Sequence, residues 1–509
     1  DPVLRQKKVA VLNMVEEYLG EEKFRDIIRQ YLEHDKSRPA DTNAFLDALS
    51  SAGAEEAVIE SMRDYLWQPG FPVIDVSFTC PSGGGVNISL TQSPYSPVGV
   101  HKTPQDTRQW DTPVCMTLVQ KDARRERQCF WLRRASQTLY ARKSMCPEAV
   151  MPDSEGKGYY RWSLEEGGWS RLAAVLDRLD DREALSYAVN LSSALWSGRL
   201  DFGRYRELLA PVARRKDEVA AAPLDDLDFI LRQFVGEPAF SGPLADWARD
   251  LYGPPPAVPT LPDRQEAGPD HDRPYEHRVL AFYSRTLEDE AVRAELAEQG
   301  RALLSRLEQG GKTITPVPAT GDLALLALLK LDRDRDGEAG RRLLGVLDRL
   351  PDVPRAMSLW ALARSGDKAL TGDLLEMIGT GGRLSGNDAL QAISGMMETP
   401  STRTRAWSWL EANFDQLVQT VPGDRAKEIV ELGRFFCTAD GRQKVTVLMG
   451  PRAASLEGGQ RAFDATVEAV DICIARRELI RGQVGAQSKS ASHPPSSEPV
   501  KQAEGQDLR

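Results

Sequence analysis

Apolar positions recur at helical spacing from residue 3 to residue 66. Leu4, Val11, Leu12, Val15 and Leu19 share one face, and Gly20 is a natural stop. Phe24, Ile27, Ile28 and Tyr31 repeat the pattern, and Asp41 reads as the N-cap of a third helix carrying Phe45, Leu46 and Leu49. A fourth helix brings Val58, Met62 and Tyr65 up to Trp67, where Pro69 and Gly70 break it. The period then changes. "VIDVSF", "VNISL", "VCMTLV", "CFWLRR" and "GYYRWSL" are short runs rich in β-branched and aromatic residues, with "PSGGG" at 81–85 as a hairpin connection.

From about residue 168 the helical pattern returns as paired helices, in words such as "ALSYAVNLSSALWSGRLDF", "DLALLALLKL", "PRAMSLWALA" and "RTRAWSWLEANFDQLV". Hairpins with one apolar face must stack on neighbours to be stable. No strict repeat period is visible, so the pattern predicts an irregular HEAT-like array, bowl-shaped overall. The Pro-rich stretch 253–274 predicts a long surface loop. The chain therefore reads as mainly α with a small β-sandwich. A helical segment spans 1–70, an antiparallel sandwich 71–163, a superhelical α-domain 164–482, and a disordered tail 483–509.

Length and composition fit that organisation. A chain of 509 residues exceeds what one core organises. A net charge of -10 argues against a nucleic-acid partner, because nothing here would neutralise phosphates in bulk. No run approaches the roughly 20 apolar residues of a membrane span. The sequence begins at Asp1 rather than Met, so the lack of a signal peptide carries no information. Of six cysteines, Cys80, Cys115, Cys129 and Cys146 fall in one short segment, and no CxxC pair suggests structural zinc. Disulfides in an exported protein and buried free thiols are both open for these four; Cys437 and Cys473, in helical regions, read as buried thiols.

Chemical motifs are sparse. "DRDRDG" (332–337) copies the first half of a calcium loop, but position 12, where a bidentate Glu belongs, is Leu343. It reads as a polar turn. "GTGGRLSG" (379–386) lacks the Gly-Lys-Ser/Thr ending of a phosphate-binding loop and reads as an inter-helix loop. "KDARRERQCFWLRRAS" (121–136), the one basic cluster with aromatics nearby, reads as a charged hairpin connection. No two of His34, His101, His271, His277 and His493 have i, i+4 spacing; "HDRPYEH" (271–277) reads as a solvated loop. No Ser–His–Asp or Cys–His arrangement can be drawn.

Several of these words, in this order, resemble the C-terminal half of M1-family zinc aminopeptidases. "KKVAVLNMVEEYLGEEKFRDIIRQYLEHD" is similar to the helices that follow the active site, and "WQPGFPVIDV" to the exit from the catalytic domain. "LTQSPY" stands where the family has Leu-Thr-Gln-x-Arg-Phe, "WDTPVCM" matches its Trp-x-x-Pro strand, and "GYYRWSLEEGGW" its Gly-Tyr-Tyr-Arg strand. "RTRAWSWLEANFDQL" and "FFCTADGRQKVTVL" look like its final helices. The resemblance covers nearly all of residues 3–477.

The resemblance implies peptide substrates, a zinc ion, and an upstream thermolysin-like domain carrying His-Glu-x-x-His. Neither that motif nor the family's Gly-x-Met-Glu-Asn is in this chain, so no metal ligand, cofactor-binding or catalytic residue is assigned to it. Aligned on Leu12-Asn13-Met14, Arg5-Gln6-Lys7-Lys8 stands at the family's Tyr-x-Lys-Gly, with Arg5 at the position of the oxyanion-steadying Tyr and Lys8 at the Gly. Two functions are consistent with this. One is the C-terminal portion of an aminopeptidase, inert alone. The other is a non-catalytic pseudo-peptidase or peptide-binding scaffold. Helices 1–66 would pack on the upstream domain and should expose apolar surface without it. The clustered cysteines lean towards an exported or periplasmic protein, with a cytoplasmic one still open.

Overall fold

The computed structural model describes residues 2–34, 42–51, 53–100, 106–142, 145–259, 274–309, 320–333, 337–379, 383–384 and 386–491. Four helices come first: α1 (Pro2–Leu19), α2 (Glu21–His34), α3 (Thr42–Ser51) and α4 (Glu56–Trp67). Val11, Val15, Ile27, Leu46, Leu49, Val58, Met62 and Tyr65 turn inward. Gly20, at φ +83°, separates α1 from α2 in a conformation that only glycine adopts without strain. The cap expected at Asp41 lies outside the described residues. Outward on the same helices stand Val9, Leu32 and Trp67, each more than half exposed.

Seven strands follow: β1 (Pro72–Thr79), β2 (Val86–Pro94), β3 (Thr112–Val119), β4 (Arg125–Leu132), β5 (Ser136–Ala141), β6 (Ala149–Met151) and β7 (Arg161–Leu164). They form a four-stranded sheet, β5-β2-β1-β7, and a three-stranded sheet, β4-β3-β6. The 81–85 connection joins β1 to β2 as an antiparallel hairpin, with Phe78 opposite Ile88. Val86, Ile88 and Leu90 are buried on one face of β2, as period-2 alternation requires. All of β3 is buried, because α1 packs on it as well. The expected purely antiparallel arrangement is corrected at one place: β7 runs parallel to β1, with Val73 opposite Arg161. A parallel neighbour requires a crossover, and here the entire second sheet lies in the connection.

All six cysteines are paired, as Cys80–Cys146, Cys115–Cys129 and Cys437–Cys473. Cys115 and Cys129 sit directly opposite each other on β3 and β4. The reading of Cys437 and Cys473 as thiols is therefore overturned. Each looks like a small apolar residue in its own segment, and only the antiparallel return of the last helix brings them together.

The helical region comprises α5 (Glu166–Ala174), α6 (Asp181–Trp196), α7 (Phe202–Ala213), α8 (Glu218–Ala221), α9 (Leu224–Gln233), α10 (Pro238–Tyr252), α11 (Pro274–Arg285), α12 (Glu290–Glu308), α13 (Gly321–Arg333), α14 (Glu338–Val346), α15 (Asp352–Arg364), α16 (Lys368–Gly379), α17 (Gly386–Glu398), α18 (Pro400–Thr420), α19 (Lys427–Glu431), α20 (Ala439–Ala453) and α21 (Gly459–Ala491). The chain is thus mainly α with a small β region, as its pattern predicts. Asp180, Asp201, Asp217 and Asp289 cap their helices by accepting backbone N–H bonds. Helices α13, α15 and α17 pack side by side in one layer, each followed by a helix of a second layer. Gly300 lets α12 and α13 approach closely, since a Cβ there would lie 2.3 Å from the Ala324 carbonyl oxygen. Within 253–274, residues 253–259 are non-helical, α11 opens at Pro274, and 260–273 lie outside the described residues. Residues 483–491, placed by the sequence in the tail, continue α21, and 492–509 lie outside the description.

A buried polar network joins the sheets to the helices. Asp153 accepts from the Ser186 hydroxyl at 2.6 Å and from the Gly158 N–H at 2.8 Å. The Trp162 backbone N–H donates to Asn190 at 2.8 Å, and Glu183 accepts from Thr117 at 2.7 Å and from Arg125. Glu183, Ser186 and Asn190 thus put a polar stripe on the buried face of α6, satisfied from the sheet side.

The last helix reaches across the molecule. Arg477 and Arg481 of α21 both pair with Glu237 at 2.8 Å, and the Phe202 N–H donates to Gln483 at 2.5 Å. Near its middle, Gly99 from the sheet region lies so close that a Cβ would come within 2.6 Å of the Asp471 carbonyl oxygen.

Candidate functional site

Helices α9, α11, α13 and α15 carry Arg232, Arg285, Lys330 and Arg364 in their last turns. The C-terminal end of a helix bears partial negative charge, so each cation is favourable locally. Side by side, they gather at one edge. Glu398, the last residue of α17, is the hub. Its Oε1 accepts from Arg285 at 2.8 Å and Arg232 at 3.2 Å, and its Oε2 from Arg364 at 2.8 Å. Arg403, in the first turn of α18, donates to the Met397 and Glu398 carbonyls at 2.7 and 3.2 Å. One turn before Arg364, the Trp360 ring lies 4.8 Å from the Arg364 guanidinium and 5.2 Å from that of Arg285.

Cations outnumber carboxylates here. Arg232, Arg285, Lys330, Arg364, Arg403 and Arg293 face Glu398, Asp228 and Glu288. Burial alone would raise the Glu398 carboxyl, but Arg364, Arg285 and Arg232 outweigh it and hold it below its ordinary range. Burial lowers the Lys330 ammonium to about 8; Arg293, Arg232 and Arg285 push the same way, and Glu288 opposes them. From Glu398 the stripe continues along α17 through Ser394, Gln391 and Asn387. These line a cavity of about 290 Å³ together with Arg425, Glu428, Leu432 and Arg434. Six cations against three carboxylates leave this edge net positive, which favours anionic groups nearby, while the polar side chains of α17 line the cavity beside it. Sequence reasoning named none of these residues. A basic residue in the last turn of α9, α11, α13 and α15 was visible, but α10 and α12 carry Arg249 and Arg306 in the same way, so this signal did not single the row out.

The residues singled out in the sequence lie elsewhere. Arg5 is in α1, with its side chain outside the described residues. Lys7, two positions on, donates to the Gln68 carbonyl at 2.9 Å and so ties α1 to the end of α4, while Lys8 is exposed. His277 lies 4.0 Å from Asp322; His101, His271, His493 and the side chain of His34 lie outside the description. In "DRDRDG", Asp332 accepts from the Ala339 N–H at 2.7 Å and Leu343 is fully buried, which makes a helix-opening turn; 334–336 lie outside the description. In 379–386, Leu384 is buried and Arg383 pairs with Asp348. No three His, Cys, Asp or Glu side chains converge as a metal requires, among the described residues. No helix among the described residues is long and apolar enough to cross a membrane.

Residues 149–472 match the family model of the ERAP1-like C-terminal domain. The chain belongs to that family, and it corresponds to the C-terminal part of M1 aminopeptidases. It is 22% identical over 434 residues to mitochondrial aminopeptidase 2 of Saccharomyces cerevisiae, covering 83% of this chain and 42% of that protein. It is 24% identical over 259 residues to aminopeptidase N of Haemonchus contortus, covering 47% of this chain and 26% of the relative. Over 179 residues it is 27% identical to probable M1 family aminopeptidase 1 of Encephalitozoon cuniculi, covering 35% of this chain and 19% of that protein. The chain thus spans less than half the length of each of these relatives.

Proposed function

We propose that this chain works as the peptide-enclosing portion of a zinc aminopeptidase whose catalytic residues lie outside this sequence, and that alone it is inert. Zinc, held by that other portion, would polarise the scissile carbonyl and the attacking water. This chain's own part is to hold the peptide, with the Glu398-centred cation row meeting its carboxylates and the α17 stripe its backbone. The observation that carries the reading is the convergence of Arg232, Arg285, Arg364 and Lys330 at one edge, in a chain of this family. Exposed Val9, Leu32 and Trp67 on α1, α2 and α4 support a covering partner there, and three disulfides support an oxidising compartment.

The test is to purify the native protein from its source and measure its mass, its zinc content and its release of N-terminal residues from peptides. A zinc-bearing species larger than 56.4 kDa with peptidase activity, beside an inactive isolated chain, is the expected result. A second reading, a non-catalytic peptide-binding scaffold, is favoured by Arg5-Gln6-Lys7-Lys8 at the Tyr-x-Lys-Gly position. It would be upheld by a native protein that binds peptides without cleaving them.

A further inference from the structure

The basic cluster at 121–136 divides in two. In its first half every arginine has a carboxylate: Arg124 pairs with Asp122 at 2.7 Å, Arg125 with Glu183 and Asp180, and Arg127 with Glu17 at 2.7 Å. In its second half Arg133 and Arg134 have none within ion-pair distance, among the described residues. These two line an open cavity of about 580 Å³ with Trp131, Ser136, Gln137 and Thr138, where β4 turns into β5. We propose that this cavity is a binding site for a tetrahedral oxyanion, the phosphate or sulfate group of a small molecule.

The turn carrying the arginines is fixed from beneath. Gln92, buried in β2, donates its backbone N–H to the Ala135 carbonyl at 2.8 Å and its side-chain amide to the Arg134 carbonyl at 3.2 Å. The same amide is locked by Trp110, donating to its carbonyl and accepting from its N–H at 3.0 Å each. Arg133 leans over the Trp131 ring at 5.9 Å. The backbone of the turn is thus fixed before any ligand arrives, and the two guanidinium forks are what must be ordered on binding. The hydroxyls complete the donor set. Ser136 pairs with Thr91 at 3.2 Å and Thr138 with Ser89 at 3.1 Å, so each outer hydroxyl can accept from its partner and donate into the cavity. A tetrahedral anion uses more donors than one planar carboxylate, and this site offers two forks and two hydroxyls. Asp111 is a carboxyl that senses Arg133. Burial raises its carboxyl and Asp64 adds to this, while Arg133 opposes, and the two side chains form no ion pair.

The experiment is calorimetric titration of the full chain with inorganic phosphate, inorganic sulfate and free phosphoserine at matched ionic strength. One saturable site is expected, weakened at least about 10-fold in Arg133→Ala/Arg134→Ala and unchanged in Arg124→Ala, whose charge is already paired. Arg133→Lys/Arg134→Lys should recover part of the loss, because charge is kept and the fork geometry is not. Tighter binding of phosphoserine would identify an ester as the natural source, and equal binding the free anion. Absence of a saturable site, or binding equal in wild type and the double alanine variant, would overturn the proposal. Both arginines are exposed, so the variants should melt with the wild type, and the outcome is independent of any peptidase activity.

Discussion

Arg364 and Glu398, the closing residues of α15 and α17, meet at 2.8 Å through Nε and Oε2, and the Arg364 Nη1 lies over Gly395, where a Cβ would come within 2.8 Å of it. The missing side chain of Gly395 is what lets a guanidinium lie flat between two helices. The rest of the cation row is assembled around this pair.

Removing the hub should therefore loosen the array. Glu398→Gln leaves Arg232, Arg285 and Arg364 facing one another without a carboxylate, in a partly desolvated site. Loss of about 2 kcal/mol is expected. Urea unfolding would measure it, and a loss within the scatter of surface substitutions would show that the pairs are too well solvated to matter.

Lys330 gives the row a pH dependence at its alkaline end. Its folded value of about 8 lies below the ordinary 10.5, so between the two the unfolded chain binds the extra proton. Stability contributed here rises as pH increases from 8 to 10.5, and the penalty is fully present below 8. Lys330→Met should remove that slope and be more stable than wild type at pH 7 by about 2 kcal/mol. Parallel stability curves for the two proteins across that range would contradict this.

The opposite sign applies to Asp153. Burial pushes its carboxyl from 3.8 up to about 7, against the hydrogen bonds from Ser186 and Gly158. Here the folded chain holds the proton between those values, so the contribution is greatest below 3.8 and is lost as pH rises through 7. Stability measured by urea unfolding from pH 5 to pH 8 should fall in the wild type relative to Asp153→Asn, by about 2 kcal/mol. Since Asp153 joins the loop before β7 to α6, hydrogen exchange at that junction should quicken over the same interval.

The Cys437–Cys473 bond closes a separation of 36 residues. Opening it by Cys437→Ser/Cys473→Ser should lower stability by about 3 kcal/mol. Non-reducing mass analysis after alkylation should find no free thiol in the wild type; two or more alkylated cysteines would disprove the pairing.

Much of the architecture can be read from periodicity. The break at Trp67–Gly70 does separate α4 from β1, and "PSGGG" does connect a hairpin. Strands β5 and β6 escaped for different reasons. "SQTLYA" is an edge strand with an outward face polar enough to pass for a loop, and "AVM" is too short to show any period. The cation row is harder still. Arg232, Arg285, Lys330 and Arg364 each look like ordinary complements to a helix dipole, and only lateral packing makes them one site. The Cys437–Cys473 pair was hidden by the same limitation. Periodicity reports which face of a helix is inward, not which distant helix it meets.

Helix α21 sets an order of events during synthesis. Glu237 must wait for Arg477 and Arg481, and the start of α7 for Gln483, while about 240 intervening residues leave the ribosome. Until then the early helices and the Gly99 loop have their final neighbours missing. A nascent chain stopped short of α21 would leave the faces of α7, α9, α19 and α20 that meet it uncovered, and chaperones would encounter that seam first.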